Sequence, residues 1–207
     1  MADIDAVTLE VTDPSTARSF YDAAFDLDGS GLGTSLGFRT GDSPTTGFRG
    51  YHLSLVAPQP ANVHALFDAA VAAGATPLKP VAKSMWGHGG VVRAPDGSIW
   101  KVATSAKKDT GPAARRFDEI VLLIGASDVS ASKRFYAERG LKVSKSFGSY
   151  VDFDMGSSPI GFGLYKHRAL AKDAGVPPEG TGSHRLTIHG DIGTVTDPDG
   201  FSWEPAA

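Results

Sequence analysis

The sequence predicts an α+β fold assembled from repeated units, four of them, with the last one truncated. Two observations carry this. A Pro-Asp-Gly turn running into a strand that bears a Trp occurs twice. The copies are Ala94-Pro95-Asp96-Gly97-Ser98-Ile99-Trp100-Lys101 and Asp197-Pro198-Asp199-Gly200-Phe201-Ser202-Trp203-Glu204. Proline fixes φ, aspartate bonds back to its own backbone and glycine accepts positive φ, so each copy is a tight turn. The second observation is a restart after residue 116. Phe117-Asp118-Glu119-Ile120-Val121-Leu122-Leu123 echoes Ile4-Asp5-Ala6-Val7-Thr8-Leu9, and Asp128 with Phe135-Tyr136 echoes Asp13 with Phe20-Tyr21 at equal spacing. Internal repetition decides architecture before any single residue does.

In chain order, Ile4 to Val11 alternates, with Val7, Leu9 and Val11 on one face of a half-buried strand. Asp13 caps a helix opened by Pro14, and Ala17, Phe20, Tyr21 and Ala24 form its apolar stripe. The glycine-rich Gly29-Ser30-Gly31-Leu32-Gly33 follows a helix and precedes a strand-like piece, the wrong context for a phosphate-cradling turn. His52 to Val56 is the next strand. A helix with Val63, Leu66, Phe67, Ala70 and Val71 on one face follows, stopped by Gly74, with His64 on its solvated side. Short strands are expected near Thr76–Leu78 and Val91–Val92, then the strand bearing Trp100. The polar, breaker-rich stretch Ser105–Arg116 reads as a linker between halves 1–104 and 117–207. In the second half, Asp128 caps a helix ended by Gly140. Strands are expected near Lys142–Ser146, Tyr150–Phe153 and Gly161–Tyr165, and a short helix Ala169–Ala174 closes at Gly175. Arg185-Leu186-Thr187-Ile188 repeats His52-Leu53-Ser54-Leu55, but no helix follows it, which makes the last unit short.

The 207 residues suffice for one large or two small domains with a real core. A hydrophobic share of 41% and a charged share of 21% are those of an ordinary globular chain. A net charge of −3 gives no electrostatic reason to expect nucleic acid or an anionic membrane as partner. The absence of cysteine excludes disulfides, thiolate catalysis and Cys-type zinc sites. Met1-Ala2-Asp3-Ile4-Asp5 lacks the basic flank and apolar run of a signal peptide. No apolar run approaches the roughly 18 residues of a membrane span, so a cytoplasmic location is the default expectation. No Ser-His-Asp or P-loop spacing is present, and Asp13, Asp96, Asp128 and Asp199 read as caps or turn residues.

Units that begin β-α and continue in short strands resemble the βαβββ modules of the vicinal oxygen chelate superfamily, which includes glyoxalases, extradiol dioxygenases and bleomycin-resistance proteins. The resemblance rests on Ile4 to Asp13 with Phe20-Tyr21, on Tyr51 to Lys101, and on Leu164-Tyr165 through Leu170-Ala171-Lys172-Asp173-Ala174-Gly175-Val176. It implies a pocket cupped by strands. It also implies a metal held by His or Gln early in a module's first strand and by Glu on its last. Such N/O sites suit Zn, Ni, Mn or Fe and leave positions open for two substrate oxygens.

Carried onto this sequence, the first half lacks the set, because Ala6 and Lys101 stand at ligand positions and His52 alone fits. In the second half Glu119 and Glu204 fit. Between them the third position is His184 if His-x-x-Thr is counted, or Arg185 if Leu186-Thr187 is aligned with Leu53-Ser54. Adjacent strand residues face opposite ways, so only one can enter the pocket. His184 would complete a Glu119/His184/Glu204 metal site, with Glu119 or Glu204 as candidate catalytic carboxylates. Arg185 would instead pair with both carboxylates in a metal-free cluster. Trp86-Gly87-His88-Gly89-Gly90 offers an aromatic face and an imidazole beside the first pocket.

The ligand-binding candidates are therefore His52, Trp86, His88, Lys101 and Arg185. The first reading is a protein that binds a small molecule in a cupped sheet without a complete metal centre or other cofactor. The alternative is a metal-dependent lyase, isomerase or dioxygenase, and a third is a structural paralogue with filled pockets. Monomer and homodimer, and pairing of adjacent or of inner and outer modules, all stay open.

Overall fold

The computed structural model describes residues 3–30, 33–85 and 87–206. Residues 31 and 32 of the glycine-rich stretch, and Trp86, lie outside the described residues. In chain order the elements are β1 (Ile4–Val11), α1 (Pro14–Phe25), α2 (Leu27–Ser30), β2 (Leu36–Thr40), β3 (Thr45–Gly47), β4 (Tyr51–Val56), α3 (Pro60–Ala72), β5 (Thr76–Ser84), β6 (Gly87–Arg93) and β7 (Ile99–Thr104). There follow β8 (Glu119–Ala126), α4 (Val129–Glu138), β9 (Lys142–Phe147), β10 (Tyr150–Asp154), β11 (Ile160–Lys166), α5 (His167–Ala174), β12 (Gly180–Gly182), β13 (Leu186–Gly190), β14 (Val195–Thr196) and β15 (Ser202–Glu204).

Local chemistry sets the helix ends. The Asp13 carboxylate accepts from Ser15 N at 3.0 Å and Pro14 opens α1. Asp128 accepts from Ser130 N and Ala131 N at the start of α4. Each cap satisfies amide donors that have no intrahelical partner. Gly175, at φ 79°, ends α5 in the left-handed conformation that glycine adopts without Cβ strain.

Neither large sheet is built from one half of the sequence. The eight-stranded sheet runs β5-β6-β7-β4-β8-β11-β10-β9, joined at its centre by antiparallel β4 and β8. The five-stranded sheet runs β14-β15-β13-β1-β2, joined by antiparallel β1 and β13. Inner units thus pair with each other, and so do outer ones. The stretch 105–116 connects two sequence repeats that share both sheets. It is strapped to the start of α3 by Gln59, whose Oε1 accepts from Thr110 N and Gly111 N and whose Nε2 donates to Gly111 O and Pro112 O.

One parallel pairing recurs: Ser54 opposite Lys101, Val121 opposite Gly161, His189 opposite Glu204 and Thr8 opposite Gly37. Leu53 faces Trp100 as Ile188 faces Trp203. Ile188, not Leu186, is therefore the counterpart of Leu53, which shifts the expected alignment by two residues. Truncation also falls on both outer units and not only the last. β13 to β15 lacks the helix, and β2 sits beside β1 as β7 sits beside β4, without the hairpin that β5 and β6 supply.

The core joins the faces carrying Val7, Leu9, Leu53, Leu55, Trp100, Ile188 and Trp203. Two tyrosines from equivalent helix positions anchor it. Tyr21 OH donates to Asp96 Oδ2 at 2.7 Å, and Tyr136 OH donates to Asp197 Oδ2 at 2.7 Å. Each hydroxyl also accepts from the repeated indole, Trp100 Nε1 at 3.1 Å and Trp203 Nε1 at 3.2 Å.

Candidate functional site

Alternation along the eight-stranded sheet sends Leu53, Leu55, Trp100, Val102, Ile120 and Leu122 into the core. The same period places His52, Ser54, Lys101, Ala103, Glu119 and Val121 on the opposite face. That face is not bare. Helix α5 lies across it and buries Leu170, Ala171 and Ala174 against Phe48, Val91 and Ile99, with Leu123 and Tyr165 alongside. The helix divides the face into two recesses of unlike charge.

The larger recess, about 670 Å³, lies on the β5–β7 side and is bordered by Val56, Lys79, Lys83, Val91, Lys101, Ala103 and Asp173 among others. Asp173, one residue before the last of α5, reaches Lys101: its Oδ1 and Oδ2 accept from Lys101 Nζ at 2.9 and 2.7 Å. Beneath them His52 is fully buried, its Nδ1 3.3 Å from Ser54 Oγ. Its Nε2 lies 3.3 Å from Asp173 Oδ2 but out of line, so among the described residues it has no hydrogen-bond partner. Burial lowers the His52 pKa, since a charged ring there would lose its hydration, and Asp173 only partly opposes this. For Asp173, burial pushes upward, yet His52 and the Lys101 ammonium outweigh it and hold the carboxyl well below the usual range. The arrangement is a neutral imidazole under a Lys–Asp ion pair. Lys79 Nζ donates to the carbonyls of Lys172 and Asp173 at the end of α5, where a cation suits the helix terminus.

The smaller recess, about 400 Å³, lies on the β9–β11 side and is lined by Glu119, Tyr150, Asp152, Asp154 and Ser158 among others. Partial desolvation and then the Asp152 charge raise the Glu119 pKa. Burial, then Asp152, pushes the Tyr150 phenol up to about 12. The Glu119 carboxylate lies where a side chain at position 161 would be, because a Cβ on Gly161 would come within 2.5 Å of its Oε1.

The second-half candidates separate. Glu119 belongs to the eight-stranded sheet and Glu204 to the five-stranded one. His184 precedes β13 and is consumed structurally: its Nδ1 lies 2.6 Å from Arg49 O, its Nε2 3.0 Å from Asp199 O, and its ring stacks on Phe201 at 3.8 Å. No nitrogen is left for a metal, so Glu119, His184 and Glu204 do not form a site. Arg185 does not serve either. At φ 52° it lies outside the strand and its Nε donates to Ser43 O. The guanidinium near Glu204 is that of Arg39, at 3.8 Å, which also lies 3.9 Å from Glu10. Strand register explains the correction, since Thr187 is the counterpart of His52 and His189 that of Ser54. His189 Nε2 sits 2.9 Å from Thr8 Oγ1 on this second face.

His88 borders the larger recess, but it pairs with Thr104 and is therefore out of step with Gly89, Val91 and Lys101. Among the described residues its buried Nδ1 has no hydrogen-bond partner. Asp173 and His189 were missed by sequence reasoning. The signal that could have found Asp173 is its place beside the apolar positions Leu170, Ala171 and Ala174, which α5 buries.

The structural register tests the metal positions directly. On the eight-stranded sheet they hold His52, Lys101, Glu119 and Gly161, and on the five-stranded sheet Ala6, Gly37, Thr187 and Glu204. Neither set offers three donors, and one position carries an ammonium. Among the described residues no three His, Asp or Glu side chains converge in a way that could hold a metal ion. No helix of the described residues is long and apolar enough to cross a membrane.

Residues 21–102 match the Glyoxalase/Bleomycin resistance protein/Dioxygenase superfamily. The fold is similar to that of glyoxalase I from Zea mays, with a TM-score of 0.63 at 11% identity over 98% of this chain and 91% of that one. A mutant of the same Zea mays protein gives a TM-score of 0.62 at 12% identity over 98% and 92%. A protein from Bacillus subtilis gives 0.56 at 13% identity over 96% and 71%. At these identities the likeness is one of fold. No curated protein matches the sequence.

Proposed function

We propose that the chain, whose residues 21–102 match the Glyoxalase/Bleomycin resistance protein/Dioxygenase superfamily, is a member of it and binds a small organic molecule in the larger recess of the eight-stranded sheet, without a resident divalent metal. One observation carries the reading: the recess of about 670 Å³ beside α5, with apolar walls and the Lys101–Asp173 pair at its base. Concave, mostly apolar sites with a few convergent polar groups are the usual form of small-molecule sites. The donor set supports the metal-free half of the proposal. Lys101 stands at a ligand position and repels a cation, and Gly161 supplies no donor at the matching position of the neighbouring unit. Binding and orientation are what these residues perform, with the Lys101 ammonium as the polar anchor.

The test has two arms. Melting with Mn, Ni, Zn or Co, one at a time, should leave Tm within about 1 °C, whereas a bound metal at a hundredfold excess over Kd adds roughly 2.7 kcal/mol. A shift of several degrees abolished by Glu119→Gln or His52→Gln would overturn the metal-free reading. In the second arm, fragment mixtures are titrated into ¹⁵N-labelled protein. Perturbed amides should cluster at Val91, Lys101 and Ala103. Clustering instead in the groove of about 480 Å³ between α1 and Pro95-Asp96 would sink the assignment of the site.

A further inference from the structure

The two recesses beside α5 share one sheet face but are sorted by charge. The larger is bordered by the ammonium groups of Lys79, Lys83 and Lys101 against the single carboxylate of Asp173. The smaller is lined by Glu119, Asp152 and Asp154 and, among the described residues, by no basic one, although Lys142 reaches Asp154 at 3.6 Å. An anion is therefore drawn to one and repelled from the other.

Lys101 is the group positioned to receive it. Its side chain is 28% exposed, opening on the recess, and its partner is a carboxylate carried by the chain itself. Asp173 spends both oxygens on the one ammonium, at 2.9 and 2.7 Å, a geometry in which an internal acid occupies the place of an external one. Val56, Pro80, Ala82, Val91 and Ala103 provide apolar contact around the charged base.

We infer that the larger recess takes a small organic anion, a carboxylate or phosphonate on a compact apolar body, which pairs with Lys101 in competition with the side chain of Asp173. The inference rests on the recess being the binding site. It adds the charge class of the ligand and makes α5 the built-in competitor. Removing the competing carboxylate should raise affinity for anions, because the binding-competent state is populated only when Lys101 is released.

The experiment is an NMR titration of the ¹⁵N-labelled 207-residue chain with 1-naphthoate, 1-naphthylphosphonate and 1-naphthamide, which share one ring system and differ in charge. Both acids should bind at the recess at least about fivefold more tightly than the amide, and only their binding should weaken in 0.5 M salt. Lys101→Met should erase the preference for the acids. Asp173→Asn should tighten 1-naphthoate by roughly threefold or more, with Asp173→Ala as the second variant and the spectra themselves reporting folding. Equal binding of acid and amide at the recess overturns the anion inference and leaves the recess standing as the site. Weakened acid binding in both Asp173 variants overturns the competition. Perturbations confined to another surface remove the site and the inference together.

Discussion

The repeated tyrosines allow an internally controlled test of what holds the core. In Tyr136→Phe, Asp197 Oδ2 loses its hydroxyl donor, while Oδ1 keeps the amides of Asp199 and Phe201. Trp203 Nε1, wholly buried, loses the acceptor it reaches at 3.2 Å. A hydrogen bond to a charged group contributes about 1.5–3 kcal/mol, and an orphaned buried donor costs about 1–3 kcal/mol. Allowing for non-additivity, the loss is about 3–5 kcal/mol. Tyr21→Phe removes the equivalent hydroxyl with less consequence. Asp96 is only half-buried and can turn to water, and Trp100 Nε1 keeps a bond to Ser98 Oγ at 3.0 Å. That loss should be about 1–2 kcal/mol. The difference of about 2 kcal/mol corresponds to roughly 4–8 °C in Tm for a chain of this size. Urea unfolding of both variants, with equal m-values, measures it directly. Burial raises the Asp197 pKa and the Tyr136 hydrogen bond counters it. The Tyr136→Phe penalty should accordingly shrink as pH falls toward about 3.9, where the carboxyl is protonated in the unfolded chain too. Equal losses in the two variants, or a larger one for Tyr21→Phe, would refute the reasoning.

Three further outcomes are expected. The lowered His52 pKa means the unfolded chain takes up the proton first. Stability is then full above about pH 6.5 and declines as pH falls below it, with a second loss below about pH 3.9 from the depressed Asp173 carboxyl. His52→Gln should flatten the first decline in urea midpoints between pH 7.5 and 5, and an unchanged slope would contradict it. Gly87→Ala places a Cβ 1.8 Å from Thr104 O at φ 126°, and should cost about 1–3 kcal/mol in thermal unfolding through strain at the β6–β7 pairing. Gln59→Ala unties residues 110–112 and should open that stretch to limited proteolysis while leaving the sheets' amide protection intact.

Much of the fold was legible because it is local. The bounds of β1, the Asp13 and Asp128 caps, the Gly175 stop and both Pro-Asp-Gly turns follow from chemistry within a few residues. His52 and Lys101 were recognised as neighbours on one cupped face, since their strands belong to a single unit. Pairing between units was not legible, because apolar alternation states which face of a strand is buried and not which strand lies beside it. That non-local choice sends Glu119 and Glu204 to different sheets and makes Thr187, rather than His184 or Arg185, the counterpart of His52. It also lays α5 over the cup. A short helix was legible there, but only the packed sheet decided that Asp173 would meet Lys101 above a buried, neutral His52.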